Sequence, residues 1–346
     1  MGRRKFILIL SSIFLIAGIY ALWRPVIVHA QASAEPVVLG VLFDFLRERW
    51  PRDRDALVQE ADRQSAKLLV KSSESNDELQ IAQAKELISQ GVKVLLVVPH
   101  NLKKAGEIVK LAHDKGVKVI AYDRLIRDCD LDFYVSFDNQ KVGELEAEYG
   151  LAKAGSGNYV LLGGSPSDNN AIMIHAGWMK VLEPAVKEGK IKIAVDQYTA
   201  EWRPVIAGLN MANAVKRLNG NISVVLAGND NLADAAIMVL EGKGLSGKVA
   251  VIGQDAELSA LRRIVAGQQA MTIYKPIPKL AQAAMELAVK ITRGEKVNQL
   301  FTRTINNGFK DVPALLLPPV VVDKDNLDKT VLQDGFYTKA QVYGQK

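Results

Sequence analysis

Seven short apolar runs rich in β-branched residues recur along this chain, and each ends in a polar stop. Residues 37–43 run into Asp44, 94–98 towards Asn101, 117–122 into Asp123-Arg124, and 134–137 into Asp138-Asn139. Residues 159–162 lead to Asp168-Asn169-Asn170, 224–227 to Asn229-Asp230, and 249–252 to Gln254-Asp255. Helical periodicity fills the intervals, over 53–66, 77–90, 104–115, 140–153, 171–188, 204–218, 232–242, 258–266 and 276–293. Gly91, Gly116 and Gly155 sit where left-handed caps close such helices. Gln90-Gly91-Val92-Lys93-Val94 and Lys115-Gly116-Val117-Lys118-Val119 are near copies 25 residues apart, a helix end, glycine and strand start repeated in consecutive crossovers. The alternation predicts βαβ units around parallel sheets, whose strands are near-continuous hydrophobic runs. In open parallel sheets ligands bind at the carboxyl ends of the strands, so the polar stops should converge on one cleft.

The expected strands, four or five before residue 140 and three or four after it, are too many for one small sheet. Two α/β lobes facing each other across a cleft fit better, with no Pro- or Ser-rich linker between them. Residues 302–319, rich in β-branched residues and prolines, carry no helical pattern.

At 346 residues there is room for two lobes with proper cores. The net charge of +6 is concentrated at the start: Arg3, Arg4, Lys5 and Arg24 stand against Glu35 alone, leaving 40 basic and 37 acidic residues from Pro36 onward. That balance gives no nucleic-acid footprint. Cys129 is the only cysteine, which excludes an internal disulfide, and the four histidines show no metal-ligand spacing. No metal or cofactor is expected. The basic start and the uncharged apolar run at residues 6–23 form an export segment. It is just long enough to span a bilayer, so the chain is expected outside the cytoplasm, with residues 1–35 as a signal peptide or an uncleaved membrane anchor plus spacer.

The stops are dominated by Asp, Asn, Arg and Lys, which make planar or multiple hydrogen bonds. Such a set suits a neutral ligand with many hydroxyls, each both donor and acceptor. Trp50 and Trp202 lie in loop-like settings, where each either packs into the core or covers the C–H face of a sugar ring. Catalytic signals are lacking. Gly163-Gly164-Ser165-Pro166 misses the second glycine of a nucleophile elbow, and no Gly-rich loop carries the Lys-Ser/Thr of a phosphate binder. Asp168 and Asp255 could form an acid/base pair, but any polar cleft contains carboxylates, and no enzyme is expected.

Several segments together resemble one family. They are Arg47-Glu48-Arg49-Trp50-Pro51-Arg52-Asp53-Arg54-Asp55, Ala121-Tyr122-Asp123-Arg124, Ser136-Phe137-Asp138-Asn139 and the run from Gly163 to Ala171. Gly228-Asn229-Asp230, Gly253-Gln254-Asp255-Ala256, Tyr274-Lys275-Pro276 and the run from Asn306 to Pro313 complete them. Over residues 37–336 the chain is similar to the D-xylose-binding group of the ribose-binding-like (type I) periplasmic binding proteins of bacterial ABC importers. The resemblance implies two doubly wound parallel-sheet lobes joined by a hinge of three crossings near Asn139, Lys275 and Lys296. Lobe I would comprise residues 36–139 and 276–296, and lobe II residues 140–275 and 297–346. It also implies that Trp50 and Trp202 sandwich a sugar ring, while Arg49, Asp123, Arg124, Asp168, Asn170, Asn229, Asp255 and Lys275 bind its hydroxyls. The loop before Glu48 is one residue shorter than the family pattern, so Asp44 and Arg47 are left aside, as is Asn101. The implied ligand is D-xylose or a related aldose, and the implied partner an ABC permease. The alternative is a membrane-tethered sensor subunit that signals to a histidine kinase through an uncleaved 6–23 helix. A repressor of this fold is excluded, because an export segment occupies the place of its helix-turn-helix.

Overall fold

A computed structural model describes residues 37–344. The expected export segment at residues 6–23 and its spacer lie outside the described residues. Among the described residues no helix is long and apolar enough to cross a membrane.

The strands are β1 (Val37–Phe43), β2 (Ala66–Ser72), β3 (Val94–Val97), β4 (Lys118–Tyr122), β5 (Phe133–Phe137), β6 (Gly157–Gly163), β7 (Ile191–Tyr198), β8 (Val224–Ala227), β9 (Ala250–Gln254), β10 (Met271–Tyr274), β11 (Arg303–Asn306), β12 (Asp311–Leu317) and β13 (Val320–Val322). The helices are α1 (Trp50–Arg63), α2 (Asp77–Ser89), α3 (Gly106–His113), α4 (Asn139–Lys153), α5 (Asn169–Lys187), α6 (Pro204–Leu218), α7 (Asp230–Glu241), α8 (Leu258–Ala266), α9 (Ile277–Thr292) and α10 (Lys339–Tyr343). They build two sheets, one ordered β11-β12-β5-β4-β3-β1-β2 and the other β13-β10-β9-β8-β6-β7. Both are parallel except at one edge, where β11 runs against β12 and β13 against β10.

Burial explains the architecture. Every residue of β3, β8 and β10 is buried. On the first sheet, Leu39, Val41 and Phe43 of β1 pack with α1 and α9, whereas Leu42 joins α2 and α3 on the opposite face. On the second, β6 sends Val160 and Leu162 towards α6 and α7, and Tyr159 and Leu161 towards α4 and α5. Each sheet thus buries both faces beneath helices, the doubly wound arrangement.

The chain passes between the sheets after β5, after β10 and after β12. The third crossing was expected near Lys296, with residues 297–346 in the second lobe, and the structure corrects this. β12 pairs in parallel with β5 in the first sheet, and β11 flanks it. The alternation in β12 sends Val312, Ala314 and Leu316 to one face of that sheet and Leu315 and Leu317 to the other. The crossing therefore falls at Pro318-Pro319, which cannot donate to either ladder.

Candidate functional site

The carboxyl ends of both sheets meet at a cavity that is partly open to solvent and lined by twelve residues. From the first lobe come Glu48, Arg49 and Trp50, at the turn from β1 into α1, and Asp123 and Arg124 after β4. From the second come Asp168 and Asn170 after β6, Trp202 after β7, Asn229 after β8, and Gln254 and Asp255 at the end of β9. Lys275 lines it from the crossing that follows β10. Local needs fix several of these residues in place. The Asp168 side chain caps α5 by accepting from the Asn170 N–H at 2.8 Å, and Asn229 caps α7 through the Leu232 N–H at 2.9 Å. Each cap satisfies an amide that helix geometry leaves without a partner.

A lattice of charged hydrogen bonds runs through the walls and joins the lobes. Arg49 forks onto Asp53, with distances of 3.1 and 2.9 Å, and reaches Asp123 at 3.1 Å. Across the cleft its guanidinium lies 3.7 Å from Asp255, which Lys275 approaches at 2.8 Å. Arg124 bridges the lobes, with Nη1 2.8 Å from Asp44 and Nε 2.7 Å from Asp168. Asn170 donates to Asp123 Oδ1 at 2.9 Å, also across the cleft. The Oδ1 of Asn170 and the Oε1 of Gln254 are buried with no protein donor. Three cations (Arg49, Arg124, Lys275) face three aspartates (Asp123, Asp168, Asp255), so apart from Glu48 the lining is balanced in charge. Such a lining suits a neutral hydroxylated ligand and disfavours a phosphorylated one. Among the described residues no cluster of three His, Cys, Asp or Glu side chains is placed to hold a metal ion.

The family model described as a periplasmic binding protein domain matches residues 39–296. Over 315 residues the chain is 47% identical to the D-xylose-binding periplasmic protein of Haemophilus influenzae, covering 91% of this chain and 94% of the relative. Identity to the D-xylose-binding periplasmic protein of Escherichia coli is also 47% over 315 residues, covering 91% of this chain and 95% of that one. The chain belongs to the periplasmic binding protein family. An ABC transporter solute-binding protein from Clostridium phytofermentans, solved with bound β-D-glucose, superposes with a TM-score of 0.82 at 27% identity, covering 88% of this chain and 99% of that one.

This periplasmic binding protein brings all ten residues expected at the site around the one cavity and adds Glu48 and Gln254. Gln254 had a signal in the sequence, since it stands with Asp255 at the end of a buried strand; Glu48 had none beyond its neighbours Arg49 and Trp50. Asp44 lies behind the lining, holding Arg124 through Oδ2 and His100 through Oδ1 at 2.9 Å. Asn101 turns its own loop by accepting from the Lys103 and Lys104 amides. Arg47 is exposed beside Glu74, 3.9 Å away.

Both tryptophans pack into a core and also border the cavity. Trp50 is buried with the edges of Phe43 and Phe45 against it, and Trp202 belongs to the second lobe's core, yet both line the cavity. The Trp202 indole N–H donates to Asp168 Oδ2 at 3.1 Å. The guanidinium carbons of Arg49 and Arg124 lie 4.8 and 5.2 Å from the Trp50 ring centroid, within cation–π range.

Burial and pairing set the protonation of the site. Burial pushes Asp123 up, but Arg49, Lys275 and Arg124 prevail and hold its carboxyl below the usual range. Asp168 goes the other way, because burial outweighs Arg124. Burial also works against the Arg49 charge, and Asp123, Asp53 and Asp255 overcome it, so the guanidinium stays charged. Glu48, at the mouth, is pushed up to about 6, by desolvation first and by Asp255 second.

Proposed function

We propose that this chain is the extracytoplasmic sugar-binding component of an ABC importer, with D-xylose or a closely related aldose as its ligand. The observation that carries the reading is one polar cavity, its three cations matched by three aspartates, lined by an indole from each lobe, Trp50 and Trp202. In this reading the indoles cover the two faces of a pyranose. Arg49, Asp123, Arg124, Asp168, Asn170, Asn229, Asp255 and Lys275 then meet its hydroxyls. The pentose is supported by the two relatives named for D-xylose at 47% identity. A ligand touching both lobes stabilises their closed arrangement over an open one, and a permease reads that difference. The test is titration calorimetry with xylose, ribose, arabinose, glucose and galactose. Xylose should bind most tightly; tighter glucose binding would discard the pentose, and no heat with any sugar would discard the reading.

A second reading rests on the uncharged apolar run at residues 6–23, of bilayer-spanning length. With that helix retained, the same lobes would serve as a tethered sensor subunit for a histidine kinase. N-terminal sequencing of protein from its own cell separates the two. A start near Gln31 or Ser33 removes the tether, and a start at Met1 or Gly2 keeps it.

A further inference from the structure

The Gly163-Gly164 pair serves no nucleophile, yet it lies directly beneath one wall of the cavity. A Cβ built on Gly164 falls 2.0 Å from Trp202 Cη2 and 2.3 Å from both Cζ2 and Cζ3. A Cβ on Gly228 falls 3.0 Å from Trp202 Cζ3 and 2.7 Å from the Gly164 nitrogen. Neither glycine has a positive φ, so what each supplies is space rather than backbone freedom. The indole therefore lies flat against two bare stretches of main chain, at the ends of β6 and β8.

We propose that Gly164, seconded by Gly228, is a positioning residue that sets the depth of the sugar cavity by letting Trp202 recede. If this floor is raised, the ring must move away from it, and its backbone and one edge are held. Thr199, fully buried, donates its N–H to the carbonyls of Gly163 at 2.9 Å and Gly164 at 3.0 Å. Its own carbonyl accepts the Trp202 N–H at 3.1 Å, so the tryptophan's backbone is stitched to the glycine turn. One edge of the indole is pinned by Asp168. A methyl at position 164 must drive the ring about 1.4 Å or more to regain ordinary contact, away from the floor and towards the cavity that Trp202 lines. The space that closes is the space assigned above to a pyranose, so the inference rests on the sugar-binding reading.

The test pairs Gly164→Ala with Trp202→Phe, measured by xylose calorimetry with circular dichroism and thermal unfolding alongside. Gly164→Ala should weaken xylose at least a hundredfold. A phenyl ring lacks the atoms that the new methyl strikes. The double variant should therefore bind at least tenfold more tightly than Gly164→Ala, although Trp202→Phe alone weakens binding. Wild-type affinity in Gly164→Ala, or losses that simply multiply in the double variant, would overturn the proposal. If Gly164→Ala does not fold, the double variant must recover the fold; failure of both would place the clash elsewhere and likewise overturn it. Wild-type protein that binds no sugar defeats the reading of the site and leaves the depth inference to crystallography. A crystal structure of Gly164→Ala then decides, supporting it with the indole displaced into the cavity and refuting it with the indole in place.

Discussion

Arg124 is the side chain whose loss the geometry makes easiest to reason about. It is 6% exposed, bridges Asp44 and Asp168 from opposite lobes, and donates a further bond to the Pro99 carbonyl at 3.3 Å. In Arg124→Gln the charge goes and a polar group stays. Asp44 keeps His100, while Asp168 keeps only neutral donors, the Asn170 amide and the Trp202 indole. Removing one partner of a buried pair costs about 3–5 kcal/mol, and the retained donors place this case near the lower end, about 3 kcal/mol. At roughly 2 °C per kcal/mol for a chain of this size, the melting point should fall by about 6 °C. The penalty should also depend on pH. Burial already raises Asp168 above its ordinary value, and losing Arg124 raises it further. A carboxyl with a raised folded-state pKa contributes stability that is fully present below its unfolded pKa and is lost as pH rises through the folded one. The gap between variant and wild type should therefore be smallest near about pH 4 and largest near about pH 8. Urea unfolding of both proteins across that range measures it. A gap under about 1 kcal/mol would put the pair among exposed surface bridges, and a gap that does not move with pH would remove Asp168 from the explanation.

Trp202→Ala should weaken xylose at least tenfold, about 1.4 kcal/mol, with the fold intact by circular dichroism; an unchanged titration would take the indole out of the site. Glu48→Gln should be the more stable protein at neutral pH and lose that advantage in acid, because the Glu48 carboxyl, raised to about 6, ionises at a cost that glutamine never meets. Thermal unfolding between about pH 4.5 and pH 8 checks this, and parallel curves would refute it. Gly143→Ala should cost on the order of 1–3 kcal/mol or more, since its Cβ would stand 2.0 Å from the Ile174 carbonyl oxygen where α4 and α5 cross. A wild-type melting point there would mean that the helices can slide apart.

What the sequence disclosed, and what it hid, follows from burial. The seven apolar runs correspond to β1, β3, β4, β5, β6, β8 and β9, and the expected helices match α1 to α9 to within a few residues at their ends. The strands that escaped notice, β2 and β7, are edge strands, partly exposed, whose lysines, aspartate and glutamine interrupt the apolar signal. β2 also begins at Ala66, where the helical pattern of α1 was read to end. β10 is buried but only four residues long, so the stop that follows it, Lys275, came from the resemblance alone. β11 and β12 fall within the segment read as rich in β-branched residues, whereas β13 lies just beyond it. Their assignment to different sheets stayed hidden, because which edge a late strand completes depends on register with β5 and β10, and no local pattern encodes that. Asp44 and Asn101 show the converse. A strand-end polar residue can serve a neighbouring side chain or its own turn as well as a ligand.

Backbone conformation marks several residues of the cavity in a way composition could not. Four of its residues occupy positive φ without being glycine: Glu48 at 56°, Asp123 at 63°, Trp202 at 55° and Asp255 at 95°. Asp123 and Asp255 directly follow β4 and β9, while Glu48 and Trp202 lie in the connections from β1 to α1 and from β7 to α6. Such conformations cost on the order of 1–3 kcal/mol each and persist only where the surroundings over-determine them. Here the ion-pair lattice ties down Asp123 and Asp255, and the glycine floor with Asp168 holds Trp202. These side chains are thus held over the cavity by the fold itself. A neutral sugar entering it has little left to order, so its binding energy can go towards holding the lobes together.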